Sequence, residues 1–364
     1  MQAVILVGGK ATRLLPLTNN TPKAIVPVLN RPLLEHVIRH LAGHRIEDII
    51  LAQGHLAQLI EGYLGNGSRF GVSLSYVVED TPLGTAGALK NAAGYLDDTF
   101  LMLNGDVFTD LDITAMLEFH RQQKAMATIA LTPVDDPTSY GLVETTPENR
   151  VARFLEKPGW NEVTTNMINA GTYVLEKAVL AQIPLRTKVS IEREVFPRLL
   201  TGHQPVYAFL SSAYWIDIGT PEKYLQLHRD LLSGKCRNCL LAPTEEVTIG
   251  ENSHIHPSAR IRGPVIIGAD CTIGENVALN GPLAIGDGAI IREDSIIEDS
   301  VIWQNSRLGA RVSLKSSILA DNCHLNEGSS AENVVLGDNV TIAGGCKLEP
   351  GSRIGAGTTV SASP

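Results

Sequence analysis

No apolar run in the 364-residue sequence approaches the roughly 18 residues that a membrane-spanning helix needs. The N-terminal run, Ala3-Val4-Ile5-Leu6-Val7, ends in glycines before it reaches the ~7 to 15 residues of a signal-peptide core, so a cytoplasmic protein with no membrane partner is expected. Basic residues are outnumbered, 30 Lys and Arg against 39 Asp and Glu. The formal net charge of −9 argues against a nucleic-acid partner, because backbone phosphates are held by a basic face. Any phosphate site must then be a local basic pocket. Cysteines are scarce, and five is an odd number in a chain without an export signal, which points to reduced thiols rather than a disulfide framework. Cys236 and Cys239 form one C-x-x-C with no second pair nearby and read as incidental thiols rather than a zinc site.

The length exceeds what one hydrophobic core usually organises, so two domains are expected. Up to about residue 230, short β-type runs alternate with amphipathic helical stretches. Strands are expected over Asp48 to Gln53, Ser73 to Val78, Thr99 to Leu103 and Ala127 to Thr132, and helices over Leu33 to Leu41, Thr85 to Ala93 and Ile113 to Gln123. That alternation predicts a Rossmann-like α/β domain, with a mixed, mostly parallel sheet whose ligands lie beyond the carboxyl ends of the strands.

After about Thr244 the pattern changes. Ile249, Ile255, Ile261, Ile267, Ile273, Leu279, Ile285, Ile291 and Ile297 recur every six residues. A second register runs through Ile296, Ile302, Leu308 and Leu314, and a third through Leu336, Ile342, Leu348, Ile354 and Val360, with a phase break between them. This is the period of hexapeptide β-helix repeats, in which each short strand buries one aliphatic side chain inside a prism. Trp303 is the only aromatic residue of the segment, as a narrow stacked core requires. The domains are therefore expected at 1–232 and 247–364, joined by a linker at 233–246. A left-handed coil is what the resemblance to hexapeptide β-helices implies.

Directly behind the first apolar run stands Gly8-Gly9-Lys10-Ala11-Thr12-Arg13-Leu14-Leu15-Pro16-Leu17-Thr18, followed by Pro22-Lys23. A glycine turn leaves main-chain N–H groups free to approach phosphate oxygens, and Arg13 and Lys23 add fixed cations. The arrangement suits a triphosphate.

This segment resembles the signature of the sugar-1-phosphate nucleotidyltransferases. The likeness continues in family order through Leu83-Gly84-Thr85-Ala86-Gly87-Ala88-Leu89, Asn104-Gly105-Asp106-Val107, Phe154-Leu155-Glu156-Lys157-Pro158, Asn169-Ala170-Gly171, Ser190-Ile191-Glu192-Arg193-Glu194-Val195-Phe196-Pro197 and Trp215-Ile216-Asp217-Ile218-Gly219-Thr220-Pro221. The Ser190 to Pro197 segment and the long β-helix look most like the mannose-1-phosphate guanylyltransferases of that family.

The resemblance implies a reaction in which a sugar-phosphate oxygen attacks the α-phosphorus of a nucleoside triphosphate and pyrophosphate leaves. Positioning and charge neutralisation then carry most of the catalysis. It assigns Asp106 and Asp217 to a Mg²⁺ ion, and Arg13 and Lys23 to the phosphates. Lys157 falls to the incoming sugar phosphate, with Glu156, Asn169 and the Gly141 backbone around the sugar. Gly8, Gly9, Gly84 and Thr85 fall to the nucleotide, the glycines and Gly87 letting base and ribose approach the main chain. Gln53 and Glu79, at strand ends, are candidates for the base edge. Two departures stand out. Ala11 occupies a place where a third glycine is common, and Leu15 one where a basic or polar residue is frequent. Should the loop need a positive φ at position 11, nucleotide affinity would be weakened.

GTP with mannose-1-phosphate is the expected substrate pair, with glucose-1-phosphate and UTP or dTTP as the alternative, since a few hydrogen bonds switch a sugar or a base. Other hexapeptide β-helix proteins are acyltransferases, which makes His254, His256 and His324 candidate bases. His254 and His256 flank a core isoleucine, however, and should point outward. The β-helix is expected to mediate homo-oligomerisation or to carry an allosteric site, so that its removal would change assembly more than chemistry. A catalytically silent relative serving as a regulatory subunit is the remaining reading, disfavoured by the presence of Arg13, Lys23, Asp106, Lys157 and Asp217.

Overall fold

The structure is a computed structural model that describes residues 1–361 except 10, 55, 237, 238, 240, 242 and 244. Its contacts divide the chain into two compact units whose boundary does not follow the expected break near residue 232. One unit is Met1–Gly9 with Val37–Trp215, and the other is Lys10–His36 with Ile216–Pro364. The expected linker, 233–246, falls in part on the undescribed positions.

In the first unit, nine strands form one sheet. They are β1 (Gln2–Leu6), β2 (Asp48–Gln53), β3 (Ser73–Val78), β4 (Thr99–Asn104), β5 (Ala127–Pro133), β6 (Gly141–Thr145), β7 (Val151–Glu156), β8 (Met167–Glu176) and β9 (Val206–Leu210). The order is β7-β6-β8-β4-β1-β2-β3, with β5 pairing both β8 and β9. The half around β1 is parallel: β1 pairs in register with β2 and β4, and β2 with β3. The half around β8 is mainly antiparallel, so the sheet is more evenly mixed than its alternating sequence suggests. Strands such as Val4-Ile5 and Phe100-Leu101-Met102 are fully buried, as expected of parallel strands covered on both faces. The helices are α1 (Leu33–Gly43), α2 (Ala57–Leu64), α3 (Gly84–Asn91), α4 (Ile113–Gln123) and α5 (Phe196–Thr201). Asp112 caps α4, its carboxylate accepting from Ala115 N–H at 2.9 Å.

The second unit is built on a parallel β-helix with the hexapeptide pattern of the left-handed kind, its three sheets holding seven, seven and five strands. Val247 pairs with Val265 and Val265 with Leu283, steps of 18 residues, or three hexads per coil. The steps Ala284 to Val301, Val301 to Ile318 and Ile318 to Val335 are 17. One corner per coil is therefore a residue shorter, and the phase break expected from the sequence is three single-residue steps. The inward row runs Ile297, Ile302, Leu308, Leu314, Leu319, Leu325, Ala331, Leu336, all at most 4% exposed. Ile296, taken as the start of the second register, instead points outward and is 48% exposed. Short corners place Asp299, Ser316 and Asn333 at φ of 43°, 46° and 51°, and another corner repeats Asn252, Asp270, Gly288, Asn305, Asn322, Asn339 and Gly357, all with positive φ. Small polar residues and glycine accept that left-handed geometry at least cost.

The outward rows of the three sheets differ. On the second sheet His254, Thr272, Arg307 and His324 are exposed, whereas on the first Ala284, Val301, Ile318 and Val335 are apolar and at most 8% exposed. Helix α6 (Pro221–Leu232) packs on this first sheet, and Arg229 forms a forked pair with Asp299 through bonds of 2.7 and 2.5 Å. Residues 11–36 lie here too: Asn30 Nδ2 donates to Ile285 O at 2.7 Å, and Asn20 Nδ2 to Asp338 Oδ2 at 2.9 Å. Burial holds His228 near 4, so its neutral ring accepts the Leu29 N–H at Nε2, 3.2 Å away.

Two expectations about thiols fare differently. Cys271, Cys323 and Cys346 are free and buried, and burial pushes the Cys323 thiol up to about 12. Cys236 and Cys239, read as incidental thiols, are joined to each other as a disulfide in the structure. Three residues of separation bring their Cα atoms to 5.7 Å, within disulfide reach.

Burial, then the neighbouring charge of Asp338, raises Asp321 from an ordinary 3.8 to about 6. Between those values the folded chain holds a proton that the unfolded chain has released, so this residue's contribution to stability falls as pH rises through the window. Asp321→Asn is expected to stabilise the protein at pH 7.5 by on the order of 2 kcal/mol, a gain that should vanish in melts below about pH 4.

Candidate active site

Parallel pairing brings several predicted residues to one edge of the first unit's sheet. Leu6 pairs with Asn104 and with Ala52, so the turns leaving β1, β2 and β4 lie side by side. Gly8-Gly9 follows β1, Gln53 ends β2, and Glu79, whose N–H donates to Gln53 O at 2.9 Å, follows β3. Asp106 follows β4 and is half-buried, its turn fixed by the Gly105 N–H donating to Leu6 O at 2.9 Å. Among the described residues, and leaving aside its neighbours in the chain, nothing lies within 4 Å of where a side chain at Gly9 would begin, so the turn presents open backbone there.

The two base-edge candidates differ in exposure. Gln53 is fully buried, its amide N–H donating to Glu61, and its Oε1 has no partner among the described residues. Glu79 is half-buried and accepts the Leu83 N–H at 2.9 Å, and burial raises its carboxyl. Gly84 has its glycine requirement met by the chain itself. With φ of 71° and the Val189 carbonyl 2.7 Å from a notional Cβ, it lets α3 close onto residues 187–189, and Gly87 does the same against Thr187 O. Close packing within the chain is thus one requirement for glycine at these two positions.

Residues predicted around the sugar also converge. Gly141 pairs with Glu156 across β6 and β7. Lys157 follows, exposed, with φ of 54°, and its N–H donates to Tyr140 O at 2.8 Å. A non-glycine residue held in the left-handed region costs on the order of 1–2 kcal/mol, and such outliers gather at functional sites. Asn169 sits beside an irregularity in β8, donating to Tyr173 Oη at 2.8 Å and accepting from Gly171 N–H at 3.0 Å.

Glu192 joins these groups and was not assigned from the sequence. The Ser190 to Pro197 motif forms one π-helical turn, Ile191–Val195, running into α5. Within it Glu192 accepts from Thr85 Oγ1 at 2.8 Å and Ser190 Oγ at 2.7 Å, and lies 3.5 Å from Tyr173 Oη. Burial first, and then the charge of Glu192, raises the Glu156 carboxyl, while Lys157 and Arg193 oppose them. The paired glutamates of the motif were the available signal.

The second unit carries Arg13, Lys23 and Asp217. Arg13 is exposed in a 3₁₀ turn, Thr12–Leu14, that Ala11 enters with φ of 47° and ψ of 42°. The loop does require the left-handed geometry there, and alanine adopts it with Thr18 Oγ1 and Leu14 N–H donating to its carbonyl at 3.1 and 3.0 Å. Lys23 opens a second 3₁₀ turn, Lys23–Ile25, after Pro22. Asp217 is half-buried and forms an ion pair with Lys223, a residue the sequence reading passed over six positions downstream. Gly219 explains how Arg13 and Asp217 share one place: a Cβ there would lie 2.9 Å from Arg13 Nη2 and 2.9 Å from Asp217 Oδ2. Of the histidines weighed as acyl-transfer bases, His254, His256 and His324 are all exposed, and His256 Nδ1 meets Ser258 Oγ at 2.8 Å. Among the described residues, no helix is long and apolar enough to cross a membrane.

Comparison with known proteins bears on this arrangement. The nucleotidyl transferase family matches residues 2–234, the GMPPB C-terminal domain residues 243–333, and the bacterial transferase hexapeptide (six repeats) residues 331–362. Mannose-1-phosphate guanylyltransferase of Mycobacterium tuberculosis is 38% identical over 301 residues, 82% of this chain and 81% of that protein. UTP–glucose-1-phosphate uridylyltransferase of Synechocystis is 35% identical over 328 residues, 85% of this chain and 84% of that protein. Among solved structures, HddC from Yersinia pseudotuberculosis complexed with GMP-PN aligns with a TM-score of 0.55 at 30% identity, covering 62% of this chain and 97% of that one.

Gly219→Ala tests the shared place of Arg13 and Asp217. The new methyl meets two side-chain ends rather than backbone, so the fold should survive, with an unchanged circular dichroism spectrum. Displacing a charged group by about 1 Å is expected to lower kcat/KM roughly a hundredfold.

Proposed function

The chain belongs to the nucleotidyl transferase family, in which a nucleoside triphosphate and a sugar 1-phosphate give a nucleotide sugar, and we propose that its own substrates are GTP and mannose-1-phosphate. The supporting observation is 38% identity with a mannose-1-phosphate guanylyltransferase across four-fifths of both chains. Agreement of residues 243–333 with the GMPPB C-terminal domain points the same way. Glucose-1-phosphate with UTP is the second reading, favoured by the Synechocystis uridylyltransferase at 35% identity.

On this reading an oxygen of the sugar phosphate attacks the α-phosphorus of the triphosphate. A phosphorus–oxygen bond forms there as the α–β bridging bond breaks, and the electron pair leaves with pyrophosphate. Gly9 presents open backbone to the nucleotide, with Gly8 before it and Thr85 and Gly84 at the start of α3. Gln53 Oε1, buried and without a partner among the described residues, suits a base N–H, and Glu79 stands at the next strand end. Arg13 and Lys23 hold phosphate oxygens, Arg13 with a planar group that keeps its charge. Lys157 holds the attacking sugar phosphate, and Glu156, Asn169 and the Gly141 backbone take the sugar hydroxyls. The raised Glu156 carboxyl remains a hydrogen-bond partner in either protonation state.

Asp106 and Asp217 fit Mg²⁺ by donor type, both offering hard carboxylate oxygens, and Asp217 already faces a cation in Lys223. Bound there, the ion would neutralise phosphate charge as pyrophosphate leaves. Asp106→Asn is expected to lose at least a hundredfold in Mg²⁺-dependent turnover with its circular dichroism spectrum intact. Activity near that of the unsubstituted protein would remove the metal assignment.

Pyrophosphate release with GTP, UTP, dTTP, ATP and CTP, each against mannose-, glucose- and N-acetylglucosamine-1-phosphate, tests the substrate pair. GTP with mannose-1-phosphate should dominate. Release with another pair would keep the chemistry and reassign the product, and silence throughout would favour a regulatory subunit.

A further inference from the structure

The one aromatic residue of the β-helix does not sit in its core. Trp303 follows the inward Ile302, points out of the prism and is 2% exposed. Its indole N–H donates to Tyr224 Oη of α6 at 2.9 Å, and the Tyr224 hydroxyl donates in turn to the carbonyl of Pro27. Tyr224 is fully buried, so neither bond is exchanged with water. Pro27 lies just beyond the turn that carries Lys23, which is closed by the Ile25 N–H donating to Pro22 O at 2.9 Å. A side-chain chain of two hydrogen bonds thus runs from a β-helix coil to the backbone of the signature segment.

The same segment meets the β-helix at its other end. Asp338 is 5% exposed, and its two carboxylate oxygens accept from Asn20 Nδ2 at 2.9 Å and Asp321 N–H at 3.3 Å. A Cβ on the preceding Gly337 would lie 3.2 Å from Pro16 Cβ and 2.8 Å from Ala356 N, so glycine there eases the packing of the segment as well as that of the next coil. Asn30 adds the bond to Ile285 O. These contacts lie on the first sheet, whose outward run Ala284, Val301, Ile318 and Val335 is apolar and covered where the other two rows carry exposed polar and charged side chains such as His254, Arg307 and His324.

We propose that the β-helix is a positioning part of the catalytic apparatus: its first sheet, through Trp303–Tyr224 and Asp338–Asn20, seats the segment that carries Arg13 and Lys23. This rests on the triphosphate role given to those two residues above. It adds a part in the chemistry to the expected role of the β-helix in assembly or allosteric control. Tyr224 and Asp338 are positioning residues, since they act through the segment and touch no substrate.

Tyr224→Phe keeps the ring and deletes both bonds, and Asp338→Ala releases Asn20. In each full-length variant kcat/KM for the triphosphate should fall about threefold to thirtyfold, the range expected for a buried hydrogen bond lost. KM for the sugar phosphate should stay within twofold. Amide exchange in residues 12–30 should quicken at least threefold while exchange in the β1, β2 and β4 strands keeps its rate. A merely structural role would lower the melting temperature without that division between substrates. Triphosphate kcat/KM within twofold of the unsubstituted protein in both variants overturns the proposal, whatever the melting temperature does. Should the unsubstituted protein turn over no pair at all, the reading of the reaction falls, and exchange alone judges the seat: unchanged exchange in residues 12–30 overturns it.

Discussion

In-register pairing of parallel strands is the constraint on which both units rest. In the first, β1 is hydrogen-bonded along both edges, residue for residue, to β2 and β4. That alignment makes the strands end together, and so brings Gly8-Gly9, Gln53 and Asp106 to one edge of the sheet. In the second, the same pairing is repeated coil upon coil, and the inward aliphatic row is its consequence. A slip of one residue would turn either set of side chains to the wrong face. Parallel strands tolerate little such slippage when both faces are buried.

Much of this was present in the order of residues. Asp48–Gln53, Ser73–Val78 and Ile113–Gln123 have the bounds their patterns imply, because an apolar strand and an amphipathic helix repeat at periods too different to confuse. The antiparallel half around β8 was harder to see. β7 mixes exposed Ala152 and Arg153 with half-buried Phe154, and β8 pairs with β4, a strand far back along the chain. In the β-helix the hexads were plain, yet Ile296 and Ile297 each fit one of two registers, and the pairing of Ile297 with Leu279 decides for Ile297 as the one that faces inward.

Site residues were readable where a motif fixed their neighbours, as with Asp106 after β4 and Lys157 before Pro158. They were hidden where the role is relational. Lys223 looks like an ordinary helical lysine until Asp217 is found beside it. Glu192 gains meaning only once Thr85 and Tyr173 close around it. The unusual feature of Trp303 is its direction, which no composition discloses. A signal did exist for the seat as a whole, in the run Ala284, Val301, Ile318 and Val335 at outward positions, since an apolar row on the outside of a prism implies a cover.

The presence of both 18- and 17-residue coils has a bearing on how such a domain changes length. Each difference is absorbed at a single corner, where Asp299, Ser316 or Asn333 takes the left-handed conformation in place of a Gly-Pro pair such as Gly281-Pro282. The strands above and below then resume their pairing unchanged. Whole coils are therefore interchangeable parts: one can be excised or duplicated and its neighbours will still meet in register, with a core extended or shortened by one layer. A single residue gained or lost within a strand has no such refuge, because every later side chain on that face would trade inside for outside.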